Sequence, residues 1–198
     1  MKFKGDINMK YRESGMPSEE LWDTFFCPTE ILEKIEVNKN VRNLLDIGCG
    51  YGTFLLPASE LVSGNVVGID IDKDMIEICK NKKQENNISN VDLVCGDISM
   101  ENTAKKLEKY KKEIDYITLF NILHCEEPIK LLSKVFDMLN AQGKIGVIHW
   151  KYEDTPRGPS IEIRPRPEMI IKWAEKVGFT LQKQIEIPPY HFGLIFKK

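Results

Sequence analysis

Three glycines at alternate positions close a short apolar run, Leu44-Leu45-Asp46-Ile47-Gly48-Cys49-Gly50-Tyr51-Gly52. A strand that ends this way offers backbone to a ligand, because glycine permits the angles and the close approach that a side chain forbids. A helix expected from about Thr53 adds unpaired N–H groups that suit a carboxylate or a phosphate. Asp46, inside the strand end, can meet a ligand ammonium group or hydrogen-bond the backbone of its own turn. The spacing reads GxGxG, and the third glycine of a dinucleotide-binding loop is replaced by Thr53.

Two further carboxylates stand at the ends of the next apolar runs. Asp70 closes Gly68-Ile69-Asp70, 22 residues beyond Gly48. A carboxylate at that distance, at the tip of the next strand, accepts hydrogen bonds from ribose hydroxyls. Asp97 follows in Cys95-Gly96-Asp97-Ile98, where it can accept from an adenine amino group while Ile98 packs on the ring. Either aspartate alone is matched by ordinary strand-end capping. On successive strand ends beside a glycine loop, they converge on one ligand. Asp70, Asp72 and Asp74 also alternate like the start of a calcium loop, but the glycine that loop needs is Met75 and its closing glutamate is Asn81. No metal is expected.

The elements that must carry these residues alternate. Apolar, β-branched runs at Val41–Ile47, Asn65–Asp70, Val91–Cys95, Ile114–Phe120 and Lys144–His149 are separated by amphipathic stretches at Thr53–Val62, Lys73–Asn86, Met100–Lys112 and Pro128–Asn140. That order predicts an α/β fold, a doubly wound sheet. Asp72 is placed to cap the second helix, and Pro128 fits the first turn of the last. Ahead of the first strand, Ser18–Phe26 and Thr29–Val37 read as two short helices, their apolar stripe a packing surface. Beyond the fifth strand, Trp150–Pro165 reads as a loop and Pro167–Val177 as a helix stopped by Gly178. Phe179–Ile187 and His191–Lys197, joined by Pro188-Pro189-Tyr190, must pair antiparallel.

Composition narrows the partners. The net charge is -2, with 42% hydrophobic and 29% charged residues, so neither nucleic acid nor membrane is an expected partner. Residues 151–198 carry nine basic and six acidic side chains, and Arg157, Arg164 and Arg166 cluster there. A solvated loop accounts for them more simply than an anion site. The five cysteines show no CxxC spacing, which predicts free, mostly buried thiols and a cytoplasmic protein.

Together these motifs resemble a class I S-adenosylmethionine-dependent methyltransferase of the small-molecule type. The likeness covers about residues 40–198 and rests on LLDIGCGYG, VVGID, CGDI, DYITLFNILH, LLSKVFDMLNAQGKIGVIHW and the terminal hairpin. It implies a Rossmann-like seven-stranded sheet, mostly parallel, with an antiparallel terminal β-hairpin. It also implies S-adenosylmethionine as cofactor, S-adenosylhomocysteine as product and a small-molecule methyl acceptor. By resemblance, Asp46, Gly48, Gly50 and Gly52 surround the methionine part of the cofactor. Asp70 takes the ribose, Met75 flanks the adenine, Asp97 with Ile98 holds the adenine edge, Asn121 lies beneath the sulfonium, and Ile71 is a further cofactor contact. A single domain is expected over 1–198, acting as monomer or homodimer. Its parts are a helical cap (1–38), a cofactor-binding core (39–150), a substrate-side loop (151–166) and a final helix with the hairpin (167–198).

Methyl transfer from a sulfonium is a direct displacement with a neutral leaving group, so alignment and exclusion of water do most of the work. A general base is needed only where the acceptor arrives protonated. His124 is the candidate for that role; Tyr11, Trp22, Trp150 and Arg157 are candidates for contacting the acceptor. His149 ends the fifth strand on the same rim, and His191 is expected to pack. Cys125 beside His124 resembles a soft-metalloid pair, but the other cysteines lie elsewhere in the sequence. A non-catalytic cofactor-binding sensor or partner subunit is the alternative from another class. An RNA or protein substrate fits the acidic balance poorly, and Thr53 and the hairpin disfavour a nicotinamide dehydrogenase.

Overall fold

A computed structural model of the chain describes residues 27–198. The order of elements is α1 (Pro28–Lys34), β1 (Leu44–Ile47), α2 (Leu55–Leu61), β2 (Val66–Asp70), α3 (Lys73–Glu85), β3 (Val91–Cys95), α4 (Glu101–Leu107) and β4 (Ile114–Phe120). There follow α5 (Pro128–Met138), β5 (Leu139–Trp150), α6 (Pro167–Val177), β6 (Thr180–Ile187) and β7 (His191–Lys197). The strands form one seven-stranded sheet in the order β3-β2-β1-β4-β5-β7-β6. The pairs among β1 to β5 are parallel, while β7 runs antiparallel to both β5 and β6. The predicted hairpin is therefore present, but its second strand is inserted between β5 and the edge.

Alternating side chains along the strands feed two apolar layers. Leu44 joins the layer with Leu32 of α1, Leu55 of α2 and Ile76 of α3. Its neighbour Leu45 joins the opposite layer, with Leu107 of α4, Val135 of α5 and Ile170 of α6. Helices on both faces explain why β1 is buried along its whole length. Caps hold the helix ends as the sequence predicted. Asp72 accepts from the Asp74 N–H at 2.8 Å, and Gly178 ends α6 in the left-handed region at φ 114°.

The first strand starts at Leu44, three residues later than its apolar run, because the Arg42 and Asn43 N–H groups turn to Asp115 Oδ2 at 3.0 and 2.7 Å. The helix expected from Thr53 starts at Leu55, and the one expected to reach Lys112 ends at Leu107 before a short 3-10 turn at Glu108–Tyr110. Of the described cysteines, Cys49 and Cys79 are buried, Cys95 and Cys125 partly so, and Cys27 is exposed, so the expectation of mostly buried thiols is corrected. The Ser18–Phe26 helix, Tyr11 and Trp22 lie outside the described residues.

Candidate active site

The sheet order reverses between β1 and β4, and a cleft of about 500 Å³ opens beyond the carboxyl ends of β1 to β5. Ligands of open α/β sheets bind at this point. The glycine loop forms one wall. Gly48, Gly50 and Gly52 have φ of 77°, 51° and 82°, a region that side chains rarely tolerate. A Cβ on Gly48 would sit 2.9 Å from Ile122 Cγ2, and one on Gly52 would sit 3.0 Å from Cys79 Sγ. The loop is tied to β2: Gly48 and Cys49 donate to the Ile69 carbonyl at 2.8 and 3.1 Å, and Gly50 N–H donates to Asp70 Oδ2 at 2.8 Å. Asp70 Oδ1 also accepts from the Asp72 N–H at 2.9 Å. Beneath the loop, Cys79 donates its thiol hydrogen to the Gly50 carbonyl, and contact with Cys79 together with burial holds the Cys49 thiol protonated.

Asp46 is the buried charge of the site. The register of β1 against β4 sets it opposite Thr118, whose hydroxyl donates to Asp46 Oδ1 at 2.6 Å. Burial pushes its pKa from 3.8 up to about 7, opposed by the Thr118 hydrogen bond and reinforced by the nearby Asp70 charge. A buried carboxyl on a cleft wall is suited to a ligand cation, which would offset the cost of ionising it there.

Two more polar atoms in the cleft lack partners among the described residues: Thr53 Oγ1 and Asn121 Oδ1, both buried. Asn121 follows β4 in the left-handed region at φ 55°, which asparagine adopts more readily than most residues. Buried polar atoms without partners are rare in proteins, so these two fit a bound polar molecule. Asp97 and Ile98 line the cleft at the end of β3, with Asp97 Oδ1 accepting from the Ser99 N–H at 2.7 Å. Ile71 lines it too. Met75 and Gly52 do not; Gly52 instead packs its bare Cα against Cys79. Sequence reasoning missed Tyr51, Phe120, Lys130 and Lys134 on the cleft wall. For Lys134 the helical spacing in α5 from Lys130 was a usable signal.

The same cleft is lined by His124, Trp150, Arg157, Gly158 and Pro159. His124 Nδ1 lies 3.4 Å from His149 Nε2, with the two rings edge to face at 5.5 Å. Burial pushes the His149 pKa down to about 3, with the His124 ring adding to the fall. Trp150 is buried, 4.1 Å between ring centres from His191, and Gly158 lies against its indole, where a Cβ would approach to 2.8 Å.

Arg157 and Arg166 are exposed, as expected of a solvated loop, but Arg164 is not. Arg164 is 6% exposed and turns inward, stacked 5.5 Å from the Trp150 ring. Its guanidinium donates to the carbonyls of Pro159, Lys151, Glu153 and Arg157 at 2.7 to 3.2 Å. One side chain thus gathers both limbs of the loop and sets Arg157, Gly158 and Pro159 on the cleft. Arg166 covers the Tyr152 ring at 4.2 Å.

A profile of the methyltransferase domain matches residues 38–183, most of the chain. The chain belongs to that family, among the class I S-adenosylmethionine-dependent methyltransferases. It is 30% identical over 104 residues to a demethylmenaquinone methyltransferase of Oceanobacillus iheyensis, covering 51% of this chain and 41% of that protein. It is 24% identical over 184 residues to a hydroxymycolate synthase of Mycobacterium bovis, covering 81% and 58%. The chain thus spans only about half the length of such curated relatives. In fold it matches an S-adenosylmethionine-dependent methyltransferase of Aquifex aeolicus at a TM-score of 0.75, with 22% identity over 87% of this chain and 90% of the other. It also matches a protein of Pyrococcus horikoshii at 0.69, with 20% identity over 99% of both chains.

Proposed function

We propose that this chain transfers a methyl group from S-adenosylmethionine to a small-molecule acceptor, with one domain over 1–198 holding both. The observation that carries the reading is that Asp46, the glycine loop, Asp70 and Asp97 line one cleft together with His124 and Trp150. When bound, the cofactor supplies a methyl group already activated on a sulfonium. The protein's part is binding, orientation and exclusion of water. Asp46 receives the ammonium of the methionine part, where a cation repays ionisation of a buried carboxyl. Gly48 and Gly50 let the backbone approach that part closely. Asp70, already braced by two N–H groups, keeps lone pairs for the ribose hydroxyls, with Ile71 beside it. Asp97 and Ile98 take the adenine edge, and Asn121 Oδ1 supplies an acceptor at the end of β4.

On the other side, the 151–166 loop latched by Arg164 walls the acceptor space, with Trp150 and Arg157 as contacts and His124 as the group nearest the chemistry. The reading carries with it a cytoplasmic setting and a monomer or homodimer. Titration calorimetry with S-adenosylmethionine, S-adenosylhomocysteine and NAD, on wild type and Asp70→Ala, tests it. Micromolar-range binding of the first two, weakened at least about ten-fold by the substitution, is expected. Preference for NAD, or indifference to Asp70→Ala, overturns it.

A further inference from the structure

His149 is wholly buried, contributes nothing to the cleft wall and yet touches the one histidine that does. Its Nδ1 lies 3.4 Å from the Trp150 carbonyl oxygen, and its Nε2 lies 3.4 Å from His124 Nδ1. A carbonyl oxygen only accepts, so the hydrogen in the first contact belongs to His149 Nδ1. A neutral imidazole carries one N–H, so His149 Nε2 is left as an acceptor. The hydrogen in the second contact therefore belongs to His124 Nδ1. The order runs one way, from His124 through His149 to the backbone, and it leaves the basic lone pair of His124 on Nε2. The end of this chain is rigid, since Trp150 pairs with His191 in the sheet and Lys151 N–H donates to the Tyr190 carbonyl at 2.8 Å. Burial keeps His149 neutral, which the argument requires.

We propose that His149 is a positioning residue that holds His124 in its Nδ1–H tautomer, so that His124 Nε2 serves as base toward an acceptor whose attacked oxygen carries a proton, a phenolic or enolic hydroxyl. The inference rests on the methyltransferase reading and narrows its acceptor class. An acceptor with a bare lone pair, such as a pyridine nitrogen or a thioether, needs no base. A hydroxyl does. As the oxygen–methyl bond forms, the methyl–sulfur bond breaks with its electron pair remaining on sulfur, leaving a neutral thioether. The hydroxyl proton passes to His124 Nε2, and the positive charge lost from sulfur reappears on the imidazolium. His149 then accepts a stronger hydrogen bond from the charged ring, as the orienting partner of a catalytic histidine does.

The chain has three histidines, so its ring nitrogens give a spectrum that can be assigned. Ring-labelled protein, examined by long-range proton–nitrogen correlation both without ligand and with S-adenosylhomocysteine, should show His124 as the Nδ1–H tautomer in each. His149→Gln keeps an acceptor near the Nε2 position and should preserve that tautomer; His149→Leu should shift His124 toward Nε2–H. A wild-type His124 in the Nε2–H form overturns the proposal by itself, whether or not the leucine variant folds. So does the same tautomer in wild type and a folded His149→Leu.

Labelled-methyl transfer to a panel of phenols, naphthols and enolic 1,3-diketones, against pyridine and dimethyl sulfide, tests the acceptor class. Transfer confined to the first group is expected, with kcat lower by about a hundred-fold in His149→Leu, KM for S-adenosylmethionine unchanged, and recovery in His149→Gln. Transfer to none of the first group, or equal transfer to both, overturns the class. Failure of the underlying methyltransferase reading would show separately, as absent S-adenosylmethionine binding in a protein whose histidine tautomers are as expected.

Discussion

Replacing Asp46 with asparagine should make this protein more stable and less able to bind its ligand, and the size of the gain depends on pH. In the folded chain the carboxyl has a pKa of about 7 against 3.8 when unfolded, chiefly because it is buried. Between those values the unfolded chain gives up its proton while the folded chain keeps it. Stability therefore falls as pH rises through that window and levels off above the folded pKa. Roughly three pKa units at about 1.4 kcal/mol each amount to about 4 kcal/mol withheld from the wild type at about pH 8. Asparagine removes the ionisation while its carbonyl still accepts from the Thr118 hydroxyl. Its amide N–H group adds a cost that does not vary with pH, so the diagnostic is the change in the difference between variant and wild type. Urea unfolding of both, without ligand, should show asparagine gaining about 4 kcal/mol relative to wild type between about pH 4 and about pH 8. For a chain of 198 residues the matching change in Tm is roughly 10 °C. A difference that stays constant within about 1 kcal/mol across that range refutes the burial argument. Calorimetry adds the functional half: wild-type affinity for S-adenosylhomocysteine should weaken as pH falls below about 7, and the variant should bind weakly at every pH.

Gly48→Ala combines a positive φ with a Cβ only 2.9 Å from Ile122, so it should cost about 1 to 3 kcal/mol of stability and weaken cofactor binding at least about ten-fold; unaltered affinity in calorimetry would contradict the backbone-approach argument. Arg164→Met keeps the hydrophobic bulk over Trp150 but removes four hydrogen bonds to the loop carbonyls. Hydrogen exchange should rise at residues 151–159 with little change in the sheet, and a uniform pattern would count against a local latch. Thr118→Val removes the hydroxyl that favours the charged form of Asp46, so the Asp46 carboxyl should titrate at a still higher pH by carbon-detected NMR.

The parts of this molecule that could be read in its sequence are those whose cause is local. Alternate glycines, a carboxylate at each strand end and a capping Asp72 announce themselves within a few residues, and the structure brings Asp46, Asp70 and Asp97 to one cleft. Where distant groups compete for the same backbone, boundaries shifted: Asp115, more than seventy residues away, draws Arg42 and Asn43 out of the first strand. The insertion of β7 between β5 and β6 left a signal that went unused, since HFGLIFK is apolar almost throughout while TLQKQIEI alternates as an edge strand should. Arg164 gave no signal at all. A cation among prolines and glycines reads as solvated, and only the fold reveals carbonyls converging from both limbs of its loop.

The same contrast explains why the two halves of the cleft carry different kinds of information. The glycine loop itself is backbone: its conformation is fixed by positive φ angles and by N–H groups anchored on Ile69 and Asp70. A short motif is enough to specify such a wall. The opposite half is built from side chains whose chemistry depends on partners far off in sequence. In the proposed relay His149, twenty-five residues on, makes His124 a directional base, and Arg164 holds the loop that carries Arg157 to the cleft. A substitution at His149 or Arg164 would change what the acceptor half can do without touching the acceptor or the cofactor. Changes of acceptor among related chains should therefore be sought in such buried supports as much as on the cleft wall.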